Sequence, residues 1–234
     1  MTRSILMLAV LLVAFPVRAG EETVLFREDF RNLENWRPLL FPKIPKHSVY
    51  TVETEGDQHF LRAESDASAS GLIYKKEFNI YDYPHIRWRW KVDRVYRKGD
   101  IHTKAGDDYP IRVYVVFKYD PERAGLLDKL TYESAKLFYG EYPPHSSLNY
   151  VWASKSYPER FLTSPYTERA KMVLLEQGGE KAGTWVVEDV NVVEDYQRAF
   201  GTKPPTTASL AIMSDSDNTG ESAVSYVEFI EVYR

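Results

Sequence analysis

The stretch DSDNTG, near the C-terminus, has the residue types of a cation-binding loop. Asp215, Asp217 and Thr219 fall at alternate positions, and Gly220 follows them. Calcium loops use carboxylate oxygens at this spacing, with a glycine where the chain turns sharply. Two interpretations stay open. One is a structural calcium ion bound by Asp215, Asp217 and Asn218, and the other is a polar turn whose side chains bond their own backbone.

Two familiar uses of this string are excluded by its surroundings. In haloacid-dehalogenase-type phosphatases the string Asp-x-Asp-x-Thr opens a doubly wound domain, and its first aspartate is the nucleophile. Here only 15 residues follow Thr219. A helix-loop-helix calcium site needs a glutamate at its twelfth position, and that position is Tyr226. A calcium site would therefore be non-helical.

A second group of charged residues stands before and within an apolar segment. Asp107 and Asp108 precede IRVYVVFKY, in which Arg112 and Tyr114 alternate with apolar residues. Paired carboxylates at the mouth of a strand can transfer protons or bind sugar hydroxyls. If both faces of the strand are shielded, Arg112 instead needs a buried carboxylate partner. We expect either ligand contacts from Asp107, Asp108, Arg112 and Tyr114, or a structural ion pair.

Aromatic residues make up 14% of the chain, including 17 tyrosines and 5 tryptophans. In HIRWRWKV, Trp88 and Trp90 alternate with basic residues, which predicts that they are core residues. Tyr150 and Trp152 share one face of another predicted strand. On a concave surface this second pair would form a platform for sugar rings, whereas core packing is the more frequent position of a strand tryptophan.

Other site chemistries lack their residues. The histidines are scattered and form no short metal-ligand spacing, no Gly-x-Ser-x-Gly elbow exists, and no glycine-rich phosphate loop is present. The five histidines are His47, His59, His85, His102 and His145. Zinc binding, serine hydrolysis and nucleotide binding are therefore not predicted.

Period-two segments bounded by turn residues predict about ten or eleven strands. A Gly-Asp pair between SVYTVE and HFLRAES predicts a hairpin, and DSDNTG predicts a second hairpin turn, between the last two strands. Two segments instead have helical spacing: 122–140 and 192–201, each ending at glycine. Because helices do not alternate with strands, the pattern favours an all-β fold, a jelly-roll β-sandwich with one or two short helices.

The N-terminus predicts export. Arg3 precedes an apolar run too short to span a bilayer, and the small residues before position 20 suit cleavage after Ala19. We expect a signal peptide over 1–19 and a single domain over 20–234, periplasmic or secreted and without a membrane span in its mature form. The absence of cysteine fits a bacterial envelope protein. The mature chain would have 28 basic and 34 acidic residues, which disfavours nucleic acid as a partner.

Several segments together resemble a family. These are GDDYPIRVYVVF, LNYVWAS, VVEDVNVVEDYQRAFG followed by PP, and AIMSDSDNTGESAVSYVEFIEV. Their order and wording resemble the bacterial domain-of-unknown-function family 3047, over most of the mature chain. The resemblance implies a one-domain secreted protein with a sandwich akin to carbohydrate-binding modules and lectin- or glucanase-type folds. It carries no assigned activity and no catalytic residues.

The leading hypothesis is therefore a non-catalytic protein that binds carbohydrate or cell-envelope polymer and requires no cofactor. One alternative is a polysaccharide lyase or glycoside hydrolase that draws on Asp107, Asp108, Asp189, Arg87, Arg89 and Arg112. Another is an envelope module that binds a protein partner through an edge strand or a tyrosine-rich surface.

Overall fold

The computed structural model describes residues 22–122, 132 and 143–234. The predicted signal peptide lies outside the described residues, as does most of the helix predicted over 122–140. The remaining chain is mainly strand. The strands are β1 (Val24–Glu28), β2 (Trp36–Leu39), β3 (Val49–Glu55), β4 (Gln58–Asp66), β5 (Ala69–Asn79), β6 (His85–Val92), β7 (Arg112–Phe117), β8 (Ser146–Ala153), β9 (Phe161–Ser164), β10 (Thr167–Gln177), β11 (Val186–Asn191), β12 (Thr207–Asp215) and β13 (Ser222–Tyr233).

Two sheets form the sandwich. The six-stranded sheet has the order β11-β6-β13-β4-β3, with β1 also paired to β13. The seven-stranded sheet has the order β2-β5-β12-β7-β8-β10-β9. Pairing is antiparallel except between β8 and β10, which run parallel. The predicted all-β jelly-roll sandwich is confirmed.

The turn after β12 differs from the prediction. β12 pairs with β5 and β7 in one sheet, whereas β13 pairs with β4 and β6 in the other. DSDNTG is therefore not a hairpin but a connection that crosses from one sheet to the other. The hairpin predicted at Gly56, which has a φ of +61°, does join β3 and β4.

The core lies between the sheets and follows from alternation along the strands. In β6, Trp88 and Trp90 are fully buried while the intervening basic residues are partly exposed, as predicted. Tyr150 and Trp152 from β8 meet them across the sandwich. The ring centroids lie 5.4 Å apart for Trp88 and Tyr150, and 5.8 Å apart for Trp90 and Trp152. A block of aromatic rings therefore joins the two sheets.

The second predicted helix is confirmed as α1 (Val192–Phe200). The side chain of Asn191 accepts hydrogen bonds from the backbone N–H groups of Val193 and Glu194, which caps the first turn. Gly201, with a φ of 71°, ends the helix in the left-handed conformation that glycine adopts without strain. No helix among the described residues has the length and apolar character needed to cross a membrane.

Candidate functional site

The outer face of the seven-stranded sheet carries the side chains that alternate with its core residues. In β7, Val113 and Val115 are fully buried between the sheets, whereas Tyr114 and Val116 point outward and are half-buried. Paired residues on neighbouring strands lie on the same face, so the register extends this alternation across the sheet. One outward row contains Arg37, Ile73, Ala211, Tyr114 and Asn149, and the next contains Glu77, Ser209, Val116 and Ser147.

This face is closed at the Arg112 end. Met213 is only 8% exposed, and the Tyr114 hydroxyl donates to its sulfur at 3.3 Å. The Tyr50 hydroxyl donates to the carbonyl of Ser70 at 2.5 Å and accepts from the N–H of Ser214 at 2.9 Å. These contacts tie the edge of one sheet to the end of the other and bury this end of the face.

At the opposite end the face is open and forms a groove of about 570 Å³. Its floor contains Ile73, Val116 and Ser209, all half-buried. The volume lies within the range of known ligand sites. The exposed residues that line it are Arg37, Lys75, Glu77, Lys118 and Pro144.

The charge of the groove is opposite in sign to that of the chain. Among the described lining residues, Arg37, Lys75 and Lys118 supply three positive charges and Glu77 supplies one negative charge. Lys118 pairs with Glu77. Lys75 donates to the carbonyl of Glu34 at 2.7 Å, a contact that leaves its charge without a carboxylate partner. The chain as a whole has a formal net charge of −4, so the described lining of the groove is a local positive region.

None of the residues expected from the sequence to bind a ligand lines this groove. Asp107, Asp108 and Arg112 are instead buried at the closed end, at 4%, 1% and 5% exposure. Arg112 pairs with both carboxylate oxygens of Asp215, and its Nε lies 3.1 Å from Oδ1 of that residue. It also donates to the backbone carbonyl of Asp107 at 3.1 Å, and the two side chains lie 3.7 Å apart. Arg112 is therefore part of a structural ion pair, and Asp215 is its main carboxylate partner.

Asp108 orders the connection between β12 and β13. Its carboxylate accepts from the N–H of Thr219 at 2.6 Å and from the side-chain amide of Asn218 at 3.0 Å. The Asn218 oxygen accepts from the Tyr166 hydroxyl at 3.1 Å. The side chain of Asn218, one of the three calcium ligands predicted from the sequence, is thus already bonded on both sides.

A different trio of carboxylates comes together beside this connection. Asp108, Asp215 and Asp217 each offer an oxygen, and the three oxygens lie within 4.8 Å of one another. Such a donor set suits a hard cation such as calcium, although Asp108 and Asp215 already accept hydrogen bonds. Burial raises the pKa of Asp217, and the charge of Asp108 raises it further. Burial also raises the pKa of Asp107, opposed by the charge of Arg112.

The expected stacking platform of Tyr150 and Trp152 is contradicted by the positions of both rings. Both are fully buried in the aromatic block between the sheets. The Trp152 indole N–H donates to the carbonyl of Gly178 at 3.1 Å, and the Tyr150 hydroxyl donates to Asp195 at 3.2 Å. Because neither ring has exposed surface, neither can stack on a sugar. Alternation along β8 showed that they share a face but not which one.

The basic residues considered for an enzyme lie elsewhere. Arg87 pairs with Asp189 at 2.9 Å and Arg89 pairs with Glu228, both on the outer face of the six-stranded sheet. They are therefore on the opposite side of the sandwich from Asp107 and Asp108, and the parts of the predicted active site do not meet.

Sequence reasoning missed one pair of acidic residues at the edge of the sandwich. Glu188 on β11 accepts from the indole N–H of Trp90 at 3.2 Å, and Glu176 on β10 pairs with Lys181 at 2.6 Å. Burial raises the pKa of Glu188 to about 7, and the charge of Glu176 contributes to the increase. An acid with this pKa can exchange protons near neutral pH. No local pattern signals the pair, because its members come from different sheets.

By its two packed sheets the chain is a β-sandwich protein, and solved structures of similar arrangement include carbohydrate-binding and glycoside hydrolase domains. A family 11 carbohydrate-binding module of the cellulase Lic26A-Cel5E from Clostridium thermocellum matches with a TM-score of 0.46 and 10% identity, over 90% of this chain and 93% of that one. Endoglucanase 3 from Trichoderma harzianum, of family GH12, matches with a TM-score of 0.44 and 9% identity, over 92% and 99%. A comparison with curated proteins finds no match.

A family model described as "Protein of unknown function (DUF3047)" matches residues 34–231. The chain therefore belongs to this family, as the resemblance of its motifs implied.

Proposed function

We propose that this protein is exported to the bacterial envelope or secreted, that it binds a glycan without catalysis, and that the glycan occupies the open groove. The observation that carries the proposal is the groove itself, 570 Å³ on the outer face of the seven-stranded sheet. The predicted signal peptide supports a location in the envelope or outside the cell, and polysaccharides are abundant ligands there.

The lining of the groove suits a sugar chain. Ile73 and Val116 supply apolar surface on the floor, Ser209 supplies a hydroxyl, and the exposed charged residues stand around them. Sugars present C–H surfaces alternating with hydroxyl edges, so a site that binds them needs apolar patches with a few polar groups. The charged residues Arg37, Lys75 and Lys118 that line the groove are exposed to solvent, as access by a polymer requires.

A blocking substitution tests the site. Ser209→Trp places a large ring on the floor of the groove at a half-buried position, so it should weaken binding by about tenfold or more by excluding the ligand. Thr51→Trp is the matched control, because Thr51 is exposed on β3 in the other sheet. Affinity electrophoresis and calorimetry would use mixed-linkage β-glucan, xylan, polygalacturonate and alginate, after circular dichroism has shown that both variants fold.

The result that supports the proposal is binding of at least one polysaccharide by the wild type and by Thr51→Trp, with a loss in Ser209→Trp. Lack of binding to every polysaccharide, or equal binding by the two variants, would contradict it. Export is tested separately by fractionation of cells that express the full chain: unprocessed protein confined to the cytoplasmic fraction would refute the location.

A further inference from the structure

We infer that the ligand of the groove is an acidic polysaccharide, whose sugar carboxylates are bound by Arg37 and Lys75. This inference rests on the proposed function, because it names the class of glycan for the same site.

The two basic side chains come from neighbouring strands at one wall of the groove. Arg37 on β2 pairs in register with Ile73 on β5, and Lys75 lies two residues further along β5. Both are exposed, and neither forms an ion pair with a carboxylate in the part of the chain that the structure describes. They are therefore available to a ligand.

The third cation lies across the groove. Lys118 follows β7, and two strand spacings separate β7 from β5 in the order β5-β12-β7, a distance of about 10 Å. Lys118 already pairs with Glu77, so its charge is neutralised locally. A carboxylate entering the groove would therefore meet a net positive wall formed by Arg37 and Lys75.

These positions favour uronic acid units over neutral sugars. Charge-assisted hydrogen bonds to a carboxylate are roughly twice as strong as bonds between neutral groups, and the guanidinium of Arg37 can bind a carboxylate with two parallel bonds. The apolar floor at Ile73 and Val116 distinguishes a sugar ring from a simple polyanion, since a flexible acidic peptide offers no rigid C–H surface to it.

The test compares four polymers at two salt concentrations: polygalacturonate, alginate, neutral mixed-linkage β-glucan and polyglutamate. We expect the wild type to bind an acidic polysaccharide about tenfold or more tightly than the β-glucan and than polyglutamate, with weaker binding at high salt. The double variant Arg37→Gln, Lys75→Gln should bind the acidic polysaccharide about tenfold more weakly than the wild type does. Its matched control is Arg94→Gln, Lys155→Gln, which removes the same charge at exposed ion pairs outside the groove.

The outcomes separate the two proposals. If β-glucan binds as tightly as polygalacturonate and alginate, the groove binds glycans but the acidic preference is refuted. If polyglutamate binds equally well, charge alone is recognised and the inference is refuted. Equal losses in the two double variants would show that overall charge matters rather than this wall. Lack of binding to every glycan would remove the proposed function itself.

Discussion

Glu188 gives the sharpest prediction for the stability of this fold. Its side chain is half-buried at the edge of the sandwich and bonds to the indole of Trp90, close enough to Glu176 for the two charges to repel. Burial, with the charge of Glu176, raises its pKa from the ordinary 4.5 to about 7. The folded protein therefore holds this proton more tightly than the unfolded chain does.

The sign of the pH dependence follows from linkage. Between about pH 4.5 and 7 the folded state binds more protons than the unfolded state, so the free energy of unfolding falls as pH rises. The contribution of Glu188 is fully present below its unfolded pKa and is lost as pH passes its folded pKa. A difference of about 2.5 pKa units corresponds to ~3 kcal/mol. Because water reaches part of the side chain, we expect about 2 kcal/mol to be measured.

Glu188→Gln removes this titration while keeping the shape and an oxygen that can accept from Trp90. Between about pH 5 and 8, the free energy of unfolding of the wild type should fall by about 2 kcal/mol more than that of Glu188→Gln. Urea unfolding followed by tryptophan fluorescence at constant ionic strength measures the free energy of unfolding of both proteins. Glu55→Gln, at an exposed position of β3, is the control that should follow the wild type. Parallel pH profiles for the wild type and Glu188→Gln would refute the reasoning.

Two further predictions concern the closed end of the outer face. Arg112→Met should lower the free energy of unfolding by about 3–5 kcal/mol, because it leaves Asp215 buried without its cation. The double variant Arg112→Met, Asp215→Asn should recover part of the loss in the same urea assay, and no recovery would contradict the pairing. If Asp108, Asp215 and Asp217 bind a structural calcium ion, adding calcium chloride to chelator-treated protein should raise the melting temperature, and Asp217→Asn should abolish the rise. An unchanged melting temperature in the wild type would count against the ion.

Local patterns predicted much of the fold. Alternation in β6 placed Trp88 and Trp90 in the core, since a strand exposes its two faces in turn. Gly201 marked the end of α1, because the chain there enters a conformation that glycine adopts most easily. Such features depend on a few neighbouring residues and can be read before any tertiary contact is known.

The partner of Arg112 could not be read in this way. The sequence indicated that a buried arginine needs a carboxylate and offered Asp107 and Asp108 as neighbours. The main partner, Asp215, is 103 positions away and reaches it because β12 pairs with β7. The turn after Asp215 was misread for a similar reason: sequence shows that a turn joins two strands but not which sheet each strand enters.

The sequence by itself determined that this chain forms strands, where most of them lie and which residues of a strand share a face. Tertiary structure alone decided which of the two faces is open. It buried Tyr150 and Trp152 against the other sheet and left Arg37 and Lys75 exposed at one wall of a groove. The physical reason is that alternation along a strand divides its residues between two faces but does not show which face is buried. The packing of one sheet on the other, and the order of strands within each, determines which face meets solvent.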